Sequence, residues 1–501
     1  KHINNLSYNN SQVAGMQRNL YNPHMQCSYR KPRIIHARAA AIIVLLLLGA
    51  LPAYAAQRYS SAATRVYLPI ATAIGPASPF GFDLRSNLND AIMPYVRSAQ
   101  PRWVRAGDVL WSEIEPVRGG GYRWAAMAEV EANIARLRAA GIEPTLVIQR
   151  SPSWAQRVSG RLCSPPRPEA IADFVRFARA LAARYAGQVN YWEIWNEPDI
   201  APALVKDEQG MGCWIDPSQP DLGGAYYGTV VRQVAPAMRA ANPHAQILAG
   251  ALLYQWPDDA GVQTFLKGML STGAGNTIDA LSFHAYGEWG AGDLLLAKTN
   301  RIRQILSAYG LSNKPLFATE IAATCGSNIQ SQCQPDYTRW KTRQANYAAR
   351  IYAETIALKL KGAFWYTLAL DNPGFQYSQL VDVSNTSFAP RQSYYAFTNS
   401  ARLLQGAQYV GPPLTEPPLS QTGKVQVLPF QKSQSRLYVL WVPRTDFPVI
   451  YNLPVPAGAR AICTDHLDKN PAATYDCSDT NRDGMIPRAV NELPQYVELF
   501  P

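Results

Sequence analysis

The amino-acid sequence predicts a (β/α)8 barrel followed by a small all-β domain. Between about residues 79 and 405, short apolar runs alternate with amphipathic stretches, and the alternation occurs eight times. Strand–helix alternation predicts a parallel sheet, and eight repeats in roughly 330 residues are typical of a (β/α)8 barrel. After Gly406 the pattern changes to short alternating segments separated by turn residues, which predicts a sandwich-like β domain.

The predicted barrel strands are short apolar runs. They are residues 79–82, 103–105, 145–148, 191–195, 246–249, 280–283, 315–318 and 363–366. Between them, apolar residues recur every three or four positions, as in 127–137 before Gly141 and in 171–185 before Gly187, which predicts helices. A doubly wound open sheet is the alternative, but no Gly-rich phosphate loop follows the first strand.

We divide the chain into five segments by composition. They are an upstream segment with a signal peptide (1–55), an N-terminal extension (56–78), the barrel (79–406), a linker (407–423) and the β domain (424–501). The extension alternates from Thr64 to Leu68 and could add a strand to the β domain. The linker is predicted from Pro412-Pro413 and Pro417-Pro418. Strands of the β domain are predicted at 424–427, 436–442, 449–451 and 495–500.

The N-terminal region has the pattern of a secretory signal. The apolar run 39–51 follows four basic residues within 30–38 and precedes the A-x-A sequence at 53–55. The run is short for a membrane span, so we expect a secreted, extracytoplasmic protein with no stable span after cleavage. An uncleaved signal that anchors the protein in a membrane is the alternative.

Most of the positive charge lies in this upstream segment. The formal net charge is +11, from 47 basic and 36 acidic residues. Residues 1–55 hold six of the basic residues and no acidic one, which leaves 41 against 36 in the rest of the chain. Since no long basic run remains, we predict no nucleic-acid partner.

Seven cysteines are present, and Cys27 lies in the predicted signal. The remaining even number, in an exported protein, favours disulfides. The simplest pairing is local and gives Cys163–Cys213, Cys325–Cys333 and Cys463–Cys477. Six cysteines allow fifteen connectivities, so this pairing is a hypothesis.

Polar residues stand at the carboxyl ends of the predicted strands, where (β/α)8 barrels carry their sites. These residues are Arg105, Asn196, Glu197, His284, Tyr286 and Glu320, with the aromatic Trp365 at the eighth strand. Together they predict one site at the mouth of the barrel.

Two carboxyl groups on opposite sides of such a mouth can flank a glycosidic bond. Retaining hydrolysis uses one as acid/base and one as nucleophile, about 5–5.5 Å apart. We predict Glu197 as the acid/base, because Trp192 and Trp195 supply the apolar surroundings that keep an acid protonated. We predict Glu320 as the nucleophile.

Three further residues complete the predicted site. Arg105 and Tyr286 could hold the nucleophile ionised by hydrogen bonding. Asn196 could bind the 2-hydroxyl of the sugar, an interaction that strengthens in the transition state.

These motifs resemble those of clan A retaining glycoside hydrolases. The run 191–199, with Asn196-Glu197-Pro198, resembles the acid/base motif of strand four, and 317–320 resembles the nucleophile motif of strand seven. Residues 283–286 and 364–366 resemble the motifs of strands six and eight. The sequence 151–155 resembles the loop after strand three in glycoside hydrolase family 39, the β-xylosidase and exopolysaccharide-endoglycosidase family, with the cellulase-like family 5 as next neighbour.

The resemblance implies an enzyme that cleaves β-glycosidic bonds of a polysaccharide or oligosaccharide. It implies that Trp154 and Trp365 stack on sugar, that His284 belongs to the substrate site, and that neither cofactor nor metal is needed. The chain departs from the pattern at the end of strand three, where some clan members have a histidine and this chain has Gln149-Arg150.

Two alternatives remain from the sequence, and we expect a monomer in either case. A non-catalytic carbohydrate-binding barrel is the second candidate function. Residues 479–484 match the first half of a calcium loop, but the twelfth position is Val490 instead of glutamate, so we favour an Asx-type turn.

Overall fold

The structure is a computed structural model that describes most of the chain after residue 77. The described residues are 78–84, 88–201, 211–253, 260–288, 294–324, 337–369, 378–383, 388–414, 423–443, 445 and 447–501. The predicted signal, the extension up to residue 77 and the predicted Cys325–Cys333 disulfide lie outside the described residues. The barrel and the β domain belong to one compact unit.

Eight parallel strands close into a barrel in sequence order, which confirms the predicted fold class. The strands are β1 (Phe80–Asp83), β2 (Trp103–Leu110), β3 (Glu143–Gln149), β4 (Tyr191–Ile194), β5 (Gln246–Leu252), β6 (Ala280–Glu288), β7 (Leu316–Thr324) and β8 (Gly362–Trp365). β6 and β7 extend well beyond the predicted runs. Polar residues interrupt the apolar pattern there, while the backbone ladder between the two strands continues past a register shift at Phe283/His284.

Helices occupy the connections between the strands. The described α-helices are α1 (Met93–Ala99), α2 (Trp111–Ile114), α3 (Ala128–Ala139), α4 (Ile171–Arg184), α5 (Gly224–Ala241), α6 (Ala260–Ser271), α7 (Ala274–Thr277), α8 (Leu294–Ala308), α9 (Tyr337–Ala357) and α10 (Gln392–Leu403). Short 3₁₀ turns occur at Trp124–Met127, Ser153–Ala155 and Pro168–Ala170. In the described part of the chain, no helix is both long and apolar enough to cross a bilayer.

Aromatic side chains fill the amino-terminal end of the barrel. Trp103 makes edge contacts with Tyr191 and Phe317, with ring centroids 4.6 and 5.4 Å apart. Gly81 leaves the space for this packing, because a Cβ there would lie 2.5 Å from the ring of Phe364. Side chains alternate between the two faces of a strand, so the residue two positions after each of these aromatic residues also points into the barrel.

The chain after Gly406 forms two antiparallel sheets. A separate pair of short strands, β9 (Val381–Asp382) and β10 (Ala389–Pro390), precedes them. The strands of the two sheets are β11 (Gln408–Tyr409), β12 (Gln426–Gln431), β13 (Arg436–Trp441), β14 (Val449–Pro454), β15 (Arg460–Asp465), β16 (Ala473–Asp476), β17 (Met485–Val490) and β18 (Gln495–Phe500). Six strands pair in the order β11-β12-β13-β18-β15-β16, and β14 pairs with β17. β11 lies inside the segment that we expected to be a linker, since two residues are too few to show an alternating pattern.

A second hydrophobic core joins the two sheets of the β domain. It includes Leu440, Leu453, Ile486 and Val497. The domain also contacts the barrel, because the buried Tyr496 hydroxyl donates to the carbonyl of Ala349 in α9 at 2.7 Å.

The predicted calcium-like sequence forms a turn in which Asp479 accepts backbone hydrogen bonds. Its Oδ2 accepts from the amides of Gly458 and Gly484 at 2.8 and 2.9 Å, and its Oδ1 accepts from Asp483 at 3.2 Å. These backbone hydrogen bonds hold the pKa of the Asp479 carboxyl below its usual value. Both carboxylate oxygens therefore stabilise the turn itself.

Candidate active site

The predicted acid/base lies in a turn directly after β4. Trp195 and Glu197 both have positive φ, at 71° and 49°, a conformation that costs a non-glycine residue about 1–2 kcal/mol. The neighbouring strands hold this turn, since the Trp195 amide donates to Ile148 O at 2.8 Å and the Glu197 amide donates to Ala251 O at 3.0 Å. The turn buries the side chain of Glu197, which is 2% exposed.

Residues 211–214 run along this turn and are tied to it by hydrogen bonds. The Gly212 amide donates to Asn196 O at 3.0 Å, and the Trp195 indole N–H donates to Gly212 O at 3.1 Å. A buried disulfide, Cys163–Cys213, joins this segment to the loop after β3. It confirms one predicted pairing, and Cys463–Cys477 confirms a second.

We expect removal of Cys163–Cys213 to reduce both stability and activity. The disulfide closes a loop of 50 residues, so the Cys163→Ser/Cys213→Ser variant should lose at most about 4 kcal/mol of unfolding free energy. Catalytic turnover should fall as well, because the released segment contacts the acid/base turn.

The Cys463→Ser/Cys477→Ser variant is the matched control. The Cys463–Cys477 disulfide closes a loop of only 14 residues and lies in the β domain. Its removal should cost about 3 kcal/mol of unfolding free energy and leave the turnover of the folded protein unchanged. Urea unfolding and steady-state assays below each transition measure both effects. Equal turnover in the two variants would contradict a role for Cys163–Cys213 at the site.

Arg105 lies at the centre of the barrel mouth and is 2% exposed. Its Nη2 donates to Asn196 Oδ1 at 2.7 Å, and its Nη1 donates to Glu320 Oε1. The predicted arginine, asparagine and nucleophile are therefore in direct contact.

Two further carboxylates bind the same guanidinium. Arg105 Nε donates to Glu193 Oε2 at 2.9 Å, and Nη1 donates to Asp83 Oδ2 at 3.0 Å. Thr319 Oγ1 donates to the other oxygen of Glu193 at 2.8 Å. All four side chains are buried, so β1, β2, β4 and β7 are joined by one polar network.

His284 lies between the two predicted catalytic glutamates. Its Nδ1 is 2.8 Å from Glu197 Oε1 and 3.5 Å from Glu320 Oε2. Complete burial lowers the pKa of His284, but the charge of Glu320 and the hydrogen bond and charge of Glu197 outweigh it, so the net pKa is raised. The ring can therefore share a proton with the carboxyl groups.

Tyr286 holds the second oxygen of Glu320. Its hydroxyl donates to Glu320 Oε2, and its ring makes an edge contact with Tyr366, with centroids 6.0 Å apart. Burial first, and then the negative charge of Glu320, raise the pKa of Tyr286 well above its usual value. The tyrosine therefore keeps its proton and acts as a donor to Glu320.

One donor atom each from Glu197, His284 and Glu320 lies within 4.8 Å of the others. By spacing alone these atoms could surround a cation. In the structure these atoms take part in hydrogen bonds instead. His284 Nδ1 hydrogen-bonds to Glu197, and Arg105 and Tyr286 donate to Glu320. The cluster contains four buried carboxyl groups, those of Asp83, Glu193, Glu197 and Glu320, against one guanidinium and one imidazole. The buried cluster therefore holds more acidic than basic side chains.

The two predicted stacking tryptophans lie outside this polar network. The Trp154 ring is half-buried against Trp111, with centroids 5.2 Å apart, and its N–H donates to Glu115 O at 3.0 Å. Trp365 is fully buried, and its N–H donates to Ser378 O at 2.8 Å. Their contact with substrate stays a prediction.

Sequence reasoning missed Glu193, Asp83 and Thr319. A signal for the first exists, because Glu193 is a carboxylate inside an aromatic strand, and a buried charge requires a partner. It also lies two residues after the inward Tyr191, as Arg105 does after Trp103, so alternation puts both side chains inside the barrel.

The closed barrel followed by a β domain is the fold of solved glycoside hydrolases of clan A, which the sequence motifs predicted. The chain is similar to a family 39 glycoside hydrolase from the gut symbiont Bacteroides cellulosilyticus WH2, with 19% identity, a TM-score of 0.61 and coverage of 85% of this chain and 81% of the other. It is also similar to the family 39 enzyme from Xanthomonas axonopodis pv. citri, with 15% identity, a TM-score of 0.55 and coverage of 86% and 96%.

A family 30 subfamily 8 xylanase from Clostridium acetobutylicum has 12% identity and a TM-score of 0.58, with coverage of 86% and 98%. At such identities the likeness shows the fold. No family model and no curated protein matches the sequence itself.

Proposed function

We propose that this chain is a secreted retaining glycoside hydrolase of the family 39 type that cleaves β-glycosidic bonds of a polysaccharide or oligosaccharide. The observation that carries the proposal is the pair Glu197 and Glu320, which lie directly after β4 and on β7, with carboxylate oxygens within 4.8 Å of each other. Retaining enzymes keep their two carboxyl groups about 5–5.5 Å apart, whereas inverting enzymes need roughly 6.5–9.5 Å to admit a water.

The first step would use both glutamates at once. A carboxylate oxygen of Glu320 attacks the anomeric carbon, the glycosidic C–O bond breaks, and Glu197 gives its proton to the leaving oxygen. The hydrogen bond between Glu197 and His284 supports this role for Glu197. In the second step Glu197 takes a proton from water, and the hydroxide oxygen replaces Glu320 at the anomeric carbon.

The neighbours of the pair support these roles. Arg105 and Tyr286 donate one hydrogen bond to each oxygen of Glu320, which orients the carboxylate and favours its ionised form. Asn196 is held by Arg105 beside the nucleophile, where its amide can bind the 2-hydroxyl of the sugar. His284 orients Glu197 through the hydrogen bond between its Nδ1 and Glu197 Oε1.

The comparisons support the substrate class. Besides the family 39 and family 30 enzymes, similar structures include a β-xylosidase from Caulobacter crescentus and an α-L-arabinofuranosidase from Thermotoga maritima. We propose a pentoside or glucoside of a plant-type or bacterial glycan as substrate. The two disulfides in the described part of the chain support a location outside the cytoplasm.

The stereochemistry of the first product tests the mechanism. Hydrolysis of aryl β-xylosides and β-glucosides, followed by proton NMR within the first minutes, should show the β-anomer before mutarotation produces the α-anomer. The free sugar in the same buffer is the control for mutarotation. An α-anomer formed first would contradict a retaining mechanism. Binding to a glycan panel without any turnover would instead favour the non-catalytic carbohydrate-binding barrel.

A further inference from the structure

Glu193 is a buried carboxylate with no place in the reaction steps described above. It lies in the middle of β4, is 0% exposed and precedes Glu197 by four residues. Both of its oxygens act as acceptors, Oε2 from Arg105 Nε at 2.9 Å and Nη2 at 2.7 Å, and Oε1 from Thr319 Oγ1 at 2.8 Å. Thr319 directly precedes Glu320 on β7, and Arg105 on β2 donates to Glu320. Glu193 therefore contacts two residues that position the predicted nucleophile.

Asp83 approaches the same cation from the opposite side. It is the last residue of β1 and is 1% exposed, and its Oδ2 lies 3.0 Å from Arg105 Nη1. The two residues are register partners in the β1–β2 ladder, so the contact is fixed by the barrel backbone.

Arg105 therefore divides one positive charge among three carboxylates. Its Nη1 serves both Asp83 and Glu320, while Nε and Nη2 serve Glu193. A carboxylate beside an unshared guanidinium is strongly favoured in its charged form. Here Glu193 and Asp83 oppose that effect at Glu320, because each adds a negative charge at the same guanidinium.

We propose that Glu193 and Asp83 are positioning residues that set the pH range of hydrolysis, by fixing the Arg105 guanidinium and by keeping the surroundings of the glutamate pair net negative. The inference rests on the proposed function, because the pH range is measured on glycoside hydrolysis. Neither residue needs to touch substrate for this role.

The charged and titratable groups around the network come from every element packed against it. They are Asp83 on β1, Arg105 on β2, Glu193 on β4, Glu197 and Asp199 after β4, His284 and Tyr286 on β6, Glu320 on β7, Tyr366 after β8, Tyr227 on α5 and Lys298 on α8. Burial and then the charges of Glu193 and Asp199 raise the pKa of Tyr227, and the buried Lys298 Nζ donates to the His284 carbonyl at 2.9 Å. Glu193→Gln removes one negative charge from this set and preserves the shape of the side chain.

The test is the pH profile of kcat/KM for Glu193→Gln. Loss of a nearby negative charge favours the ionised nucleophile and disfavours the protonated acid, so both the acidic and the basic limb should move to lower pH, by about one unit. Turnover at the new optimum should also fall, because Arg105 loses a contact. Asp83→Asn should move both limbs in the same direction from a different strand, and it keeps the proposal testable if Glu193→Gln does not fold.

Two controls separate charge from structure. Thr319→Val removes the hydrogen bond to Glu193 without changing charge, so turnover should fall while both limbs stay in place. Glu354→Gln removes another fully buried glutamate, located on α9 beside Arg350 and outside the polar network, so it should change stability and leave both limbs unmoved.

Folded Glu193→Gln and Asp83→Asn proteins whose limbs stay within about 0.2 units of the wild type, or move upwards, would overturn the inference. Failure of the proposed function looks different, because the wild-type protein would then hydrolyse no glycoside in the panel.

Discussion

Replacing Glu320 with alanine is expected to lower turnover by about ten-thousand-fold or more and to make cleavage of the glycosidic bond dependent on added azide. In the proposed mechanism the substitution removes the oxygen that attacks the anomeric carbon, so the reaction loses its covalent step. It also leaves a space between Arg105 and Tyr286, the two groups that hold the carboxylate. Azide in that space can attack the same carbon, while Glu197 still protonates the leaving oxygen.

The product of rescue identifies the role of each glutamate. With a β-glycoside, Glu320→Ala should give the α-glycosyl azide, because azide replaces the nucleophile in a single displacement. Glu197→Ala should give the β-glycosyl azide with an activated leaving group, because azide then intercepts the Glu320 intermediate. Glu129→Ala, an exposed position on α3, is the control and should retain full activity. NMR of the isolated azides distinguishes the outcomes, and exchanged configurations would reverse the two roles.

Replacing Arg105 with methionine is expected to destabilise the fold by about 3–5 kcal/mol as well as abolish activity. The methionine removes the guanidinium shared by Asp83, Glu193 and Glu320, so three buried carboxylates lose the same ion-pair partner. Arg105→Lys should recover part of the stability, since it restores the charge, but little activity, since an ammonium lacks the planar fork that reaches several acceptors.

Arg176→Met is the matched control for this substitution. Arg176 also bridges two carboxylates, Glu115 and Asp173, but it is 49% exposed, so its loss should cost about 1 kcal/mol or less. Urea unfolding measures the three variants together. An Arg105→Met protein as stable as Arg176→Met would show that the buried carboxylates are neutral in the fold.

The sequence was sufficient for the features that alternate regularly. Eight apolar runs predicted all eight barrel strands, and the carboxyl-end rule then brought Arg105, Asn196, Glu197, His284 and Glu320 to one mouth, where the structure shows them in contact. The prediction worked because a closed parallel barrel leaves only one arrangement of strand ends.

Other features depended on pairing that one sequence does not reveal. The extension of β6 through Tyr286 was missed because polar side chains end the apolar pattern while the ladder continues. β15, β16 and β17 were missed because charged residues lie within each strand and obscure the alternation of apolar and polar residues. The position of His284 between two glutamates also depends on a register shift between β6 and β7. No pattern of residues in the sequence predicts that shift.

The backbone of the acid/base turn is held by β3 and β5, through Ile148 O and Ala251 O, and by one loop segment, through the Gly212 amide. Glu197 is thus anchored to two strands of the closed barrel, while loops that make no hydrogen bond to this turn can vary in length and sequence. Exchange of the loops other than 211–214 between related barrels should therefore alter which glycans are accepted without displacing the two glutamates. For protein engineering, this makes the chain a scaffold in which specificity and chemistry can be changed independently.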